Sequence, residues 1–220
     1  LSGGGNVKPD TTLLQDARGV PKDFSSLSTA VHRASTVLFE DAESFIARGK
    51  RRYRGSSYGL YGTPPSATLA RQLAVLENAR HVVLAPSGLA AISLVNFAAL
   101  RAGDHALLSD AMYGPTRTAA VKLFGPLGVE TEFYDPLCGA AIAARIRKNT
   151  RLVWLESPGT ITMEVQDVRA IAKAVRARRV LLAMDNTWAT PLRFRPLEHG
   201  VDFSIQALTK YVGGHSDLLL

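Results

Sequence analysis

The feature that most constrains this chain is an alternation. Short apolar runs rich in Val, Leu and Ile fall at residues 81–85, 105–108, 129–134, 152–155, 180–184 and 203–207, with helix-like segments at 88–100, 116–124, 140–147 and 168–178 between them. Strand, helix and strand in succession make crossover connections, so the sequence predicts an α/β fold with a mainly parallel sheet flanked by helices on both faces. The runs do not alternate apolar with polar residues, which fits strands covered on both sides. Ahead of them, residues 66–78 repeat Leu69, Leu73 and Leu76 at helical spacing, with Ser66 as the expected cap. Residues 1–62 show no sustained periodicity. They read either as an extended arm that reaches a neighbouring subunit or as a loosely packed terminal segment, with the ligand-binding domain over 63–220.

Composition narrows the class. With 46% hydrophobic and 20% charged residues over 220 positions, the chain can bury one sizeable core. No apolar run approaches the ~20 residues of a spanning helix, and residues 1–10 lack the basic start and apolar stretch of a secretory signal. The expectation is a cytoplasmic protein with no membrane partner. The single cysteine, Cys138, cannot form an internal disulfide, in keeping with a reducing compartment. The net charge of +7 raises the question of nucleic acid. Its basic residues, however, gather at Lys50, Arg51, Arg52 and Arg54 and at Arg176, Arg178 and Arg179, with no nucleic-acid-binding motif around them, so no nucleic-acid partner is expected. The chain opens without methionine and stops at Asp217-Leu218-Leu219-Leu220, which reads as the start of a buried strand; part of a longer protein is expected.

In a parallel sheet with helices on both faces, ligands bind beyond the carboxyl ends of the strands. Those ends hold Pro86-Ser87-Gly88-Leu89, Asp110-Ala111-Met112-Tyr113, Glu156-Ser157-Pro158-Gly159-Thr160, Asp185-Asn186-Thr187-Trp188 and Thr209-Lys210. Ser87-Gly88-Leu89 stands at a strand-to-helix turn, where free backbone N–H groups and the helix dipole favour phosphate, although such turns also serve only to cap a helix. It is neither a P-loop nor a dinucleotide fingerprint. Asp185 ends a buried run and needs a partner. A helix dipole or an arginine would serve, as would a pyridinium nitrogen such as that of pyridoxal phosphate. Lys210 is either a solvated strand end or a partly desolvated nucleophile able to condense with an aldehyde. Tyr113 either stacks on an aromatic ligand or covers the core. The five histidines are scattered and offer no metal-ligand spacing, and no Gly-x-Ser-x-Gly elbow is present.

The stretch Ser204-Ile205-Gln206-Ala207-Leu208-Thr209-Lys210-Tyr211-Val212-Gly213-Gly214-His215-Ser216-Asp217 resembles the signature of the cystathionine-metabolising family of pyridoxal-phosphate enzymes. The similarity runs from about Thr12 to Leu220. It implies the large domain of fold type I, the architecture of aspartate aminotransferase, with pyridoxal 5'-phosphate as cofactor and Lys210 as its attachment point. By the same resemblance Asp185 faces the pyridinium, Ser87, Gly88 and Leu89 form the phosphate turn, Thr209 offers a hydroxyl to the phosphate, and Tyr113 stacks on the ring. Tyr58, in Tyr58-Gly59-Leu60-Tyr61, matches a tyrosine that reaches the phosphate of the neighbouring subunit. Leu60 stands where the family usually has an arginine, a loss that Arg54 could offset, and Ala207 stands where many relatives have serine.

The Glu156-Ser157-Pro158-Gly159-Thr160-Ile161-Thr162-Met163-Glu164 form, with Trp188, is similar to the family's beta-cleaving bacterial branch. Synthases and gamma-lyases of the family usually read Thr-Asn-Pro after Ser-Pro. The resemblance therefore implies carbon-sulfur beta-elimination of an amino-acid substrate, cystathionine, to homocysteine, pyruvate and ammonia. By the same resemblance Lys210 is expected to act as general base and Tyr113 to assist proton transfer. It also implies a substrate-carboxylate arginine beyond Leu220 and a homotetramer built as a dimer of dimers. The competing readings are a gamma-lyase or gamma-synthase of the same family, an aminotransferase on the same fold, and a non-catalytic cofactor-binding fragment or regulator.

Overall fold

The structure, a computed structural model, describes residues 29–51 and 56–220. It divides into two compact units, Leu1–Val83 and Leu84–Leu220. The expectations for residues 1–28, and those for Arg52 and Arg54, lie outside the described residues. Among the described residues before 63, the first unit contains one α-helix. This short helix, α1 (Ala42–Ile46), is capped by Asp41, whose carboxylate accepts the Ser44 N–H at 2.6 Å. Helix α2 (Pro64–Glu77) begins two residues earlier than its apolar spacing suggests. Pro64 and Pro65 carry the φ of a first helical turn and need no N–H partner there. Thr63 is consequently the cap, and Ser66, expected in that role, sits inside the first turn, its Oγ accepting the Thr63 N–H at 2.9 Å.

The second unit is a five-stranded parallel sheet of β1 (His105–Ser109), β2 (Glu130–Tyr134), β3 (Thr150–Glu156), β4 (Leu181–Asp185) and β5 (Phe203–Ile205), in the spatial order β2-β1-β3-β4-β5. The chain moves outward from β1 to β2 and then returns to the other side of β1, so the order reverses between β1 and β3. Helices α3 (Gly88–Ala99), α4 (Gly114–Ala119), α5 (Val168–Ala177) and α6 (Thr190–Arg193) fall between the strands or just ahead of β1. Alternate residues feed two cores. Leu107, Val153, Leu155 and Leu182 meet Ile171 and Val175 of α5 on one face. On the other, Leu108, Leu152, Trp154 and Ala183 meet Ile92 of α3 and Phe124. The parallel sheet with helices on both faces is therefore as the alternation of runs requires. Among the described residues no helix is long and apolar enough to cross a membrane.

Four expectations fail locally. Residues 81–85 are not a strand, and Val83 is 78% exposed. An apolar run becomes a strand only where a neighbour takes up its backbone N–H and C=O groups, and no described strand lies alongside this one. Leu218–Leu220 likewise pair with no strand, and Leu219 is 73% exposed. Strand β5 stops at Ile205 because Ala207 gives its N–H to the Thr187 side chain at 2.9 Å and not to a strand. The helix expected over 140–147 is a run of tighter turns, Pro136–Ala144, broken at Gly139, where φ is 50° and ψ is −130°.

Trp154 is the largest fully buried side chain. Its indole N–H donates to Asn96 Oδ1 at 2.8 Å, and its carbonyl accepts the Tyr134 hydroxyl at 2.9 Å. It thereby joins α3 to the sheet centre and fixes β3 in register. Trp154→Ala should lower unfolding free energy by about 3–5 kcal/mol, read as a fall in the denaturant midpoint of the full-length protein.

Candidate active site

All five strands point the same way, so their carboxyl ends form one edge. Both sheet faces are occupied by apolar packing, which leaves that edge as the place for polar chemistry. Ser87 caps α3, its Oγ accepting the Ala90 N–H at 3.1 Å. The N–H groups of Gly88 and Leu89, in the first turn, have no acceptor within the helix. Gly88 is required by proximity: a Cβ there would lie 2.7 Å from the Cβ of Ala207. The helix start thus rests directly on the segment that leads to Lys210.

Asp185 ends β4, beside Glu156 on one side and Ile205 on the other. Its Oδ1 accepts the Thr187 N–H at 3.0 Å. Burial pushes the Asp185 carboxyl above its ordinary value, while the bonds from Thr187 and the charge of Lys210 pull the other way. An acid in that position favours a further cationic partner. Lys210 lies past β5 in a turn, with its N–H donated to Ala207 O at 3.0 Å and its carbonyl accepting the Gly214 N–H at 2.8 Å. Its side chain is exposed, not desolvated. Thr209 is already engaged: its hydroxyl accepts the Leu220 N–H at 2.9 Å and donates to Leu220 O at 3.0 Å. Tyr113 immediately precedes α4, and its carbonyl accepts the N–H of Thr116 at 2.9 Å and of Arg117 at 3.1 Å. Tyr113 is 43% exposed.

Ser87, Gly88, Leu89, Tyr113, Asp185, Thr209 and Lys210 all follow strand ends or open a helix at this edge of the second unit. Tyr58 belongs to the first unit, where its side chain is exposed and packs edge-on near Tyr61. Among the described residues no group of three or more His, Cys, Asp or Glu could hold a metal ion.

Two residues absent from the sequence-derived site occupy its floor. Glu156 is 2% exposed, and each oxygen of its carboxylate has a donor, Tyr113 N–H to Oε2 at 2.8 Å and the Thr160 hydroxyl to Oε1. Gln166 takes the Glu156 N–H at 3.1 Å and reaches the Tyr134 hydroxyl at 3.2 Å, tying the ends of β2 and β3 together. In the sequence Glu156 stands out as an acid closing an apolar run and as the head of the Glu-Ser-Pro-Gly-Thr stretch, with no role attached; for Gln166 there was no signal. Burial, seconded by the charge of Asp185, pushes the Glu156 carboxyl up from 4.5 to about 7 against its two hydrogen bonds. Between those values the native protein holds a proton that the unfolded chain has released, so stability falls as pH rises from 4.5 towards 7, with a slope of up to ~1.4 kcal/mol per pH unit. The Asp185 carboxyl, also raised by burial, contributes with the same sign above its ordinary value of 3.8. Glu156→Gln should flatten the slope, as followed by denaturant unfolding across that range.

The model of the Cys/Met metabolism PLP-dependent enzymes matches residues 10–220. A relative from Rhizobium johnstonii is 45% identical across 97% of this chain and 56% of its own length. Cystathionine beta-lyase MetC of Escherichia coli is 38% identical across 97% of this chain and 55% of its own. The chain thus spans little more than half the length of these curated relatives. Among solved structures, an O-acetylhomoserine (thiol)-lyase from Campylobacter jejuni with N'-pyridoxyl-lysine-5'-monophosphate superposes with a TM-score of 0.89 at 26% identity, over 97% of this chain and 53% of that one. The chain is a member of the Cys/Met metabolism PLP-dependent enzyme family.

Proposed function

We propose that the protein containing this chain cleaves L-cystathionine by carbon-sulfur beta-elimination, consuming water and releasing homocysteine, pyruvate and ammonia. The observation that carries this reading is the meeting, at one sheet edge, of an exposed amine, a partly buried carboxylate and a helix start with two free N–H groups. The chemistry of that set fits pyridoxal phosphate: Gly88 and Leu89 N–H for the phosphate, the Asp185 carboxylate for a cationic ring nitrogen, Tyr113 for the ring face and Lys210 for covalent attachment. When bound, that cofactor supplies an electron sink for the charge left at the substrate Cα.

The chain's own residues do the rest. The Lys210 amine, exposed in its turn, takes the proton from Cα and returns protons later in the cycle. The Asp185 carboxylate, anchored by Thr187, keeps a proton on its partner nitrogen. Tyr113 holds its ring at the rim and assists proton transfer. Thr209, after exchanging its bonds to Leu220, adds a hydroxyl to the phosphate contacts, while Tyr58 reaches the phosphate of a neighbouring subunit. Residues 1–62 then serve as the arm that carries Tyr58 to a neighbouring subunit, and 63–220 as the cofactor-binding domain, within a cytoplasmic homotetramer.

The beta position of cleavage rests on Glu156-Ser157-Pro158-Gly159-Thr160-Ile161-Thr162-Met163-Glu164 and on relatives such as the Escherichia coli enzyme. With the full-length protein and L-cystathionine, pyruvate and homocysteine should appear in equal amounts and 2-oxobutyrate should not. Release of 2-oxobutyrate would transfer the protein to the gamma-cleaving branch. Lys210→Ala should reduce turnover by roughly 10²- to 10⁴-fold and abolish the covalently held chromophore; survival of both would remove the proposal.

A further inference from the structure

The topological switch between β1 and β3 brings two loops together above the sheet, and a single buried side chain joins them. We propose that Glu156 is a positioning residue: its carboxylate clamps the Tyr113 loop to the Thr160 turn and so sets where the Tyr113 ring stands over the ligand site. This rests on the reading above for what the ring faces, whereas the clamp itself is a property of the chain.

The geometry is closed on every side. Glu156 closes β3, where its N–H is fixed by Gln166 at 3.1 Å, so the carboxylate starts from a rigid base. One oxygen takes the Tyr113 N–H at 2.8 Å and the other takes the Thr160 hydroxyl. A second tie runs in parallel, Thr160 N–H to Ala111 O at 2.8 Å. There is no slack between the loops: a Cβ on Gly159 would lie 2.5 Å from the Ala111 Cβ. Beyond the turn, Ile161 and Met163 are held at φ of 68° and 61°, conformations that non-glycine residues adopt only where the surroundings impose them. Among the described residues Tyr113 makes no hydrogen bond through its hydroxyl. Its ring position therefore follows from its backbone, and the backbone N–H is the group that Glu156 holds.

The clamp also tolerates both charge states of the acid. With Glu156 ionised, the Thr160 hydroxyl donates and Tyr113 N–H donates. With Glu156 protonated, its O–H donates to Thr160 Oγ1 while the other oxygen still accepts from Tyr113, since a threonine hydroxyl serves in either sense. The groups facing it are Asp185 from β4, with the Lys210 turn beyond, and the Tyr113 and Thr160 loops. A neutral amide can make the same pair of bonds as the protonated acid, and a methyl group can make neither.

The test separates the clamp from simple loss of fold and from the cofactor reading. In the full-length protein without cofactor, amide hydrogen exchange of the peptide spanning residues 111–117 should speed up by about tenfold or more in Glu156→Ala and in Thr160→Val, and remain near wild type in Glu156→Gln. With pyridoxal phosphate added, the same two variants should bind it about tenfold more weakly and lose most of the visible circular dichroism that reports a ring held in a fixed aromatic environment, again with rescue in Glu156→Gln. Unchanged exchange in Glu156→Ala and Thr160→Val would overturn the proposal, as would a Glu156→Gln protein as perturbed as Glu156→Ala. If Glu156→Ala does not fold, Thr160→Val against Glu156→Gln decides it. If the wild type binds no cofactor, the functional reading fails while the exchange measurements still judge the clamp.

Discussion

The structure depends on the burial of one sheet from both sides. Once α3 and Phe124 cover one face and α5 the other, the strands must be apolar along their length and their polar groups must be paired within the sheet. Charge and hydroxyls are then admitted only where strands end. A parallel arrangement puts all of those ends at two edges, and the carboxyl edge gathers an acid from β3, an acid from β4, the loop after β1 and the turn after β5. The site is a consequence of that confinement and not a separate construction.

Confinement sets the electrostatics too. Glu156 and Asp185 are neighbours across β3 and β4, both displaced towards their protonated forms chiefly by burial. The structure offsets the cost with donors: Tyr113 N–H and the Thr160 hydroxyl on the first, Thr187 N–H and the nearby Lys210 charge on the second. The two acids differ in what they can do. Both oxygens of Glu156 have protein donors, which suits it to holding loops in place. Asp185, less fully enclosed, retains capacity for a cationic ligand group.

Where the alternation of apolar runs was strong, strand and helix positions follow it closely, as at residues 105–108, 152–155 and 168–178. It misled where a run had the composition of a strand but no neighbour to pair with, at 81–85 and 218–220, because hydrogen-bonding partners are not a local property. It misled again at 140–147, where Pro136 and Gly139 turn an expected helix into tighter turns. Asp185, Tyr113, Lys210 and the Ser87 turn were legible because each is a polar residue closing or following an apolar run. Glu156 was legible as an acid closing an apolar run and opening the Glu-Ser-Pro-Gly-Thr stretch, though with no role attached, and Gln166 was not, because no local pattern marks a loop glutamine whose partners, the Glu156 N–H and the Tyr134 hydroxyl, are set by the fold.

The sequence by itself determined the class of sheet, the edge at which chemistry is possible, and the family, through a fourteen-residue stretch around Lys210. Those are matters of periodicity, polarity and order, all of which a one-dimensional string carries. Only the tertiary structure decided that β1 and β3 lie side by side with Glu156 beneath the Tyr113 loop, that Gly88 touches Ala207, and that the Thr209 hydroxyl is held by Leu220. Each of these pairs residues separated by eleven to well over a hundred positions, and hydrogen bonds and contact distances act through space without regard to that separation.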